Sequence, residues 1–231
     1  MSKSAPTHPR SIRSFVKRAG RLTKSQRRAL DALWPSLGID YTEAALDLDS
    51  LFGRTVPRVL EIGFGNGDSL VAVAAARPDV DFIGVEVHEP GVGHCLIRAQ
   101  ESGLTNLRLI MHDAFDVLEH QLAPASLARV NLYFPDPWPK KRHHKRRIVN
   151  DRLLELVASR LESGGMLHIA TDWENYAEHI AAALAGNAAF ELKDHRQHDG
   201  SAPLDRPATR FESRGRGLGH SIWDWQYRRR P

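Results

Sequence analysis

A chain of 231 residues is long enough to bury one sizeable core, and 42% hydrophobic with 26% charged residues is ordinary for a globular protein. No apolar run approaches the ~20 residues of a membrane span, the basic first thirty residues lack the apolar stretch of a secretion signal, and the single cysteine, Cys95, excludes an internal disulfide or a Cys-rich metal centre. The net charge of +4 conceals a segregation: residues 1–30, 139–147 and 204–231 hold 22 of the 32 basic residues and 3 of the 28 acids, a net of +19 against −15 elsewhere.

Residues 1–22 are polar and basic, too poor in apolar groups to fold alone. Thr23 and Gln26 form a capping box for a helix through about Leu37, where Gly38 ends it. A weaker segment, Thr42 to Phe52, leads into the main domain, so the chain divides into a basic arm with a helical segment (1–54) and one domain (55–231). From Val56 apolar strands alternate with helices. Strands are expected at Arg58–Ile62, Val80–Val85, Leu107–Met111, Val130–Phe134 and Met166–Ala170, and helices near 69–77, 90–102, 115–122, 148–161 and 173–184. Such βα alternation implies a mostly parallel sheet with helices on both faces. Ala189–Lys193 and Ser221–Arg228 read as a terminal strand pair around a long polar loop, with Trp223, Trp225 and Tyr227 on one face.

Glu61-Ile-Gly63-Phe-Gly65-Asn-Gly67 lies between the first strand and the first helix. Its glycines allow a tight turn and close approach of a ligand to the backbone. The G-x-G-x-G spacing is neither a dinucleotide fingerprint nor a phosphate-binding loop. Glu61, Glu86 and Asp113 stand at the ends of three successive strands, the edge where doubly wound sheets bind ligands. Acids there suit a neutral ribose and adenine with a cationic tail better than a phosphate.

Phe134 to Arg147, FPDPWPKKRHHKRR, presents Asp136 between two prolines and then six Lys or Arg with no acid. Prolines fix φ near −65° and give Asp136 a defined direction. A dense cationic run directly after an apolar strand reads as a phosphate-binding surface; two basic tails and a solvated loop are the plainer alternative. Trp138 could stack on an exposed base or pack over the sheet. His143 and His144 lack metal-ligand spacing, His195 and His198 have no Cys or acid partners at useful spacing, and Cys95 reads as a buried small hydrophobe.

Taken together, these acids and the glycine turn resemble the S-adenosylmethionine-dependent methyltransferases of Rossmann-like fold. The pattern PDPWPKKRHHKRR, with EIGFGNG at 61–67, Ala170-Thr-Asp172 and Thr209-Arg-Phe-Glu212, is similar to the bacterial tRNA (guanine-N7)-methyltransferases, over about Thr55 to Arg229. The resemblance implies an α/β class I methyltransferase: a mostly parallel seven-stranded sheet with a C-terminal antiparallel hairpin. It implies methylation of a variable-loop guanine in tRNA, with S-adenosylhomocysteine as the other product. It implies cofactor contacts from Glu61, Gly63, Gly65, Gly67, Glu86, Asp113 and Asp136, with Asp136 also the catalytic position. Substrate contacts would come from Lys140, Asp172, Thr209, Arg210, Phe211 and Glu212, and RNA contacts from Arg142, His143, His144, Lys145, Arg146 and Arg147. No metal, membrane or obligatory protein partner is expected, a monomer is favoured over a homodimer, and the expected location is the cytoplasm. A methyltransferase of another substrate, or a non-catalytic RNA-binding protein of the same fold, are the competing readings.

Guanine N7 carries a lone pair and no proton, so no general base is required. Asp136 is expected to orient the base and stabilise the charge it acquires, with Asp172 or Glu212 as a second acceptor.

Overall fold

Thr23 opens the first helix as its sequence demands: its hydroxyl accepts from the Gln26 amide at 3.2 Å, while the Gln26 side chain accepts from the Thr23 amide at 2.9 Å. The computed structural model describes residues 14–15, 20–199, 204, 206–207, 212 and 221–231. In chain order these form α1 (Lys24–Leu37), β1 (Gly38–Ile39), α2 (Leu48–Phe52), β2 (Arg58–Ile62), α3 (Asp68–Ala76), β3 (Asp81–Val85) and α4 (Glu89–Glu101). There follow β4 (Leu107–Ile110), α5 (Ala114–Asp116) with a π turn, β5 (Leu127–Tyr133), a 3₁₀ turn (Lys141–Arg146) and α6 (Asp151–Arg160). The last described elements are β6 (Leu161–Thr171), α7 (Glu174–Ala185), β7 (Phe190–His198) and β8 (Ile222–Arg229).

The strands make one sheet in the order β1-β4-β3-β2-β5-β6-β8-β7. Neighbours from β1 to β6 run parallel, and β8 is antiparallel to both β6 and β7. Alternate strand residues feed two apolar layers. Leu60, Ile62, Ile83 and Leu132 pack with Leu153, Val157 and Ile180 of α6 and α7, while Val59, Phe82 and Leu109 pack with Leu70, Val71, Val92 and Leu96 of α3 and α4. Each such buried side chain contributes about 1.5–3 kcal/mol relative to exposure. Cys95 is buried in the second layer, where burial pushes its thiol pKa up.

Several elements differ from expectation, among them β6, which starts at Leu161, and the helix near 115–122, which is α5 and a π turn. The sheet has an eighth strand because Gly38, after ending α1, stays extended and pairs with Leu109. The segment from Thr42 is helical only from Leu48, since Asp47 caps at the Ser50 amide (3.1 Å) and Gly53, at φ 70°, turns the chain out. The hairpin strand β7 runs on to His198: its polar residues face solvent along the sheet edge, so a strand there reads as a loop. No helix among the described residues is long and apolar enough to cross a membrane.

The order of strands turns back at β2, which lies between β3 and β5. A crevice opens above that point, at the C-terminal ends of the strands.

Candidate functional site

The turn after β2 shapes the floor of this crevice. Gly63, Gly65 and Gly67 all adopt positive φ (73°, 59° and 78°), a conformation that costs L-residues with a Cβ. A Cβ at Gly63 or Gly65 would meet open space, so the backbone there faces the cavity; at Gly67 it would strike the Cys95 side chain. Gly67 is therefore a packing glycine. The Glu86 carboxylate at the exit of β3 ties the turn down, accepting from the amides of Gly65 (2.9 Å), Val87 (2.7 Å) and His88 (3.0 Å). Asp113, after β4, caps α5 by accepting from the Phe115 amide at 3.0 Å. Beside it the His112 ring stacks on Tyr41 at 3.7 Å, a contact no spacing in the sequence suggests.

A cavity of about 370 Å³ opens here. Its wall carries Gly63, Gly65, Glu86, Asp113 and Asp136 among apolar Ile62, Val85, Leu132, Phe134 and Ile148, and Ser14 and Phe15 of the N-terminal arm also lie against it. Glu61 does not line it. Its carboxyl is buried behind the turn, where burial pushes its pKa up to about 7 against the opposing charge of Arg206.

Asp136 is exposed on the rim. Phe134 and Trp138, on either side of it, both have positive φ, 51° and 47°, which costs about 1–2 kcal/mol for such a residue. The surroundings hold both. The Phe134 amide donates to Ala170 O at 2.8 Å, and the Trp138 indole donates to Ser14 O at 3.2 Å. The Arg146 guanidinium lies 5.1 Å above the Trp138 ring, with His143 edge-on, so Trp138 is packed into its own loop.

The cationic run forms a 3₁₀ turn after Lys140. Lys140, Lys141, Arg142 and Lys145 are exposed and, among the described residues, pair with no carboxylate. Partial desolvation and the surrounding cations hold His143 below the usual imidazole pKa. Arg147 is a correction to the sequence reading. It is buried, donating to Pro137 O (3.0 Å), Asn175 O (3.2 Å) and Asn175 Oδ1 (2.7 Å) with its guanidinium over the Tyr176 ring, so it anchors the loop from beneath.

Asp172 lies at a second cavity of about 470 Å³, with Trp173, Asn175, Gln197 and Trp223, which shares no lining residue with the first. Thr209, Arg210 and Phe211 lie outside the described residues. Glu212 is fully buried, with both oxygens on Arg206 (2.5 and 2.9 Å), and this differs from the base acceptor expected of it. Arg206 also donates to Asp224 Oδ2 (3.0 Å), while Asp224 Oδ1 meets His168 Nε2 at 2.6 Å. Burial alone would raise Asp224, but His168 and Arg206 outweigh it and hold its carboxyl below the usual range. Sequence reasoning passed over Arg206, Asp224 and His168; the one available signal was an acid between two tryptophans in an apolar strand.

A family model described as a putative methyltransferase matches residues 55–225. A tRNA (guanine-N(7)-)-methyltransferase of Shewanella piezotolerans is 53% identical over 220 residues, covering 95% of this chain and 93% of that protein. Proteins of the same name from Sodalis glossinidius (54%; 94% and 91% covered) and Halorhodospira halophila (52%; 97% and 98% covered) are similarly related. Among solved structures, an antibiotic-related methyltransferase has a TM-score of 0.57 at 16% identity, covering 81% of this chain and 94% of that one. A 16S rRNA (adenine(1408)-N(1))-methyltransferase from Catenulisporales acidiphilia has 0.59 at 15%, covering 80% and 92%. At such identity these two speak for the fold alone.

Proposed function

We infer what this chain does from the family to which it belongs, the tRNA (guanine-N(7)-)-methyltransferases: it transfers a methyl group from S-adenosylmethionine to N7 of a guanine in tRNA. The observation that carries this reading onto the chain's own residues is one juxtaposition. An exposed carboxylate, Asp136, stands between a glycine-floored cavity and a cationic run that no carboxylate of the described residues neutralises.

The cavity fits the methyl donor. Open backbone at Gly63 and Gly65 admits a ligand closely, and an apolar wall bearing Glu86, Asp113 and Asp136 suits hydroxyls, an amine edge and a cation. When bound, S-adenosylmethionine supplies an electrophilic methyl on sulfur, which the N7 lone pair takes as the S–C electron pair returns to sulfur and S-adenosylhomocysteine is released.

Glu86, already oriented by three amides, is assigned to the ribose hydroxyls, and Asp113 to the adenine edge. No proton leaves N7, so Asp136 serves as an acceptor for the N1 and N2 protons of guanine, whose acidity rises as the base becomes cationic. Such alignment and charge stabilisation are worth several kcal/mol. Lys140, Arg142, Lys145 and Arg146, with His143 and His144, hold the RNA backbone. They supply salt-dependent affinity with little sequence information. The target is a variable-loop guanine, unstacked to reach the cavity. Residues 55–231 form the catalytic domain, to which residues 1–54 add the edge strand β1 and the Ser14–Phe15 wall of the cavity, and the chain acts as a monomer.

Transfer of label from the methyl donor to unmodified tRNA, followed by cleavage chemistry specific for 7-methylguanine, tests this reading. Label confined to small molecules or protein would move the activity to another substrate, and no transfer at all would leave an RNA-binding protein of the same fold.

A further inference from the structure

Arg206 is a buried cation with a side chain only 1% exposed, in a region where charge is costly unless paired. Three groups converge on it. Both oxygens of Glu212 take its terminal nitrogens, and Asp224 of β8 accepts from its Nε. On its third side the guanidinium lies over the rings of Tyr133 and Phe134, 5.2 and 5.4 Å from their centroids. Phe134 is the positive-φ residue two places before Asp136. A bulky side chain keeps that backbone only where its surroundings impose it, and a cation against the ring is a directional restraint of that kind.

We propose that Arg206 is a positioning residue for Asp136: Glu212 and Asp224 hold its guanidinium in place, and through Phe134 it fixes the exit of β5 and so the direction of Asp136. This rests on the methyltransferase reading above. Glu212, with both oxygens engaged inside the fold, acts through Arg206 instead of touching the base. Lysine in place of Arg206 preserves the charge but loses both the two-pronged grip on Glu212 and the flat face against Phe134.

The test is Arg206→Lys, with turnover expressed per methyl-donor-binding site so that any unfolded fraction drops out. The expected result is a fall in kcat of at least tenfold on tRNA, with KM for tRNA and affinity for the methyl donor within about twofold of wild type. Asp136→Asn combined with Arg206→Lys is expected to be no slower than Asp136→Asn alone, because the arginine works through the aspartate. Should Arg206→Lys fail to fold, the paired change Arg206→Gln with Glu212→Gln removes both charges together and carries the same expectation. Wild-type kcat per site in whichever variant folds, or losses that multiply with Asp136→Asn, would overturn the role of Arg206 and leave the methyltransferase reading intact. A wild-type protein that makes no 7-methylguanine in tRNA would overturn both.

Discussion

The indole of Trp138 donates to the backbone carbonyl of Ser14, joining the loop after β5 to the N-terminal arm across 3.2 Å. Phe15, next in the chain, lies against the wall of the same cavity as Glu86 and Asp136. Trp138→Phe keeps the ring and removes the donor. It should weaken binding of the methyl donor about fivefold, the ~1 kcal/mol of one hydrogen bond. Calorimetric titration reads this directly, and an unchanged Kd would mean that the arm contributes nothing to the cavity.

Lys145 and Arg147 sit two residues apart in the same cationic run but do different work, one exposed and the other buried. Lys145→Ala and Arg142→Ala should each lower the slope of log affinity for tRNA against log salt by ~0.7–0.9, with little change in melting temperature. Arg147→Ala should leave the slope alone and cost ~3 kcal/mol, about 6–12 °C, as its three bonds to Pro137 and Asn175 are lost. Equal effects of the two kinds of variant would contradict the assignment.

Asp136→Asn retains shape but removes the charge that meets a cationic base and puts a donor in place of one acceptor oxygen. A fall in kcat of ~10²-fold is expected, with tRNA affinity essentially constant. Single-turnover methylation of saturating tRNA is the measurement. Full turnover would reduce Asp136 to a wall residue.

Glu61 gives stability a pH dependence. Its folded pKa of about 7 lies above the ordinary 4.5 because it is buried. Between those values the folded chain keeps a proton that the unfolded chain gives up, so stability falls as pH rises through the window, by ~3 kcal/mol at most. Glu61→Gln should therefore match wild type near pH 4.5 and melt higher than wild type near pH 8. Melting curves collected without the methyl donor check this; parallel pH profiles would show that Glu61 is already ionised in the fold.

The parts legible in the sequence were those set by local chemistry. The glycine turn, the strand-end acids and the proline-bracketed Asp136 are compelled by positions that tolerate few other residues, and all emerge at one edge of the sheet. Spacing could not separate Glu61 from Glu86: both follow the same strand-end rule, yet only Glu86 turns outward. Arg147 looked like its neighbours because composition does not register which side of a 3₁₀ turn faces inward. The Arg206–Glu212–Asp224 cluster was illegible because it is assembled by tertiary folding, which brings Arg206 and Glu212 onto a strand residue 12–18 places further along the chain.

The position of β8 bears on how the molecule is made. Strand β8, Ile222–Arg229, follows β7 in the chain yet inserts between β6 and β7 and brings Asp224 with it. A growing chain can thus assemble β1 to β6, with the glycine turn and the methyl-donor cavity, while translation continues. Until β8 emerges, β7 lacks its one partner strand among the described residues and Arg206 lacks one of its two anions. The glycine turn, Asp136 and the cationic run can thus form before the cluster around Arg206 is complete.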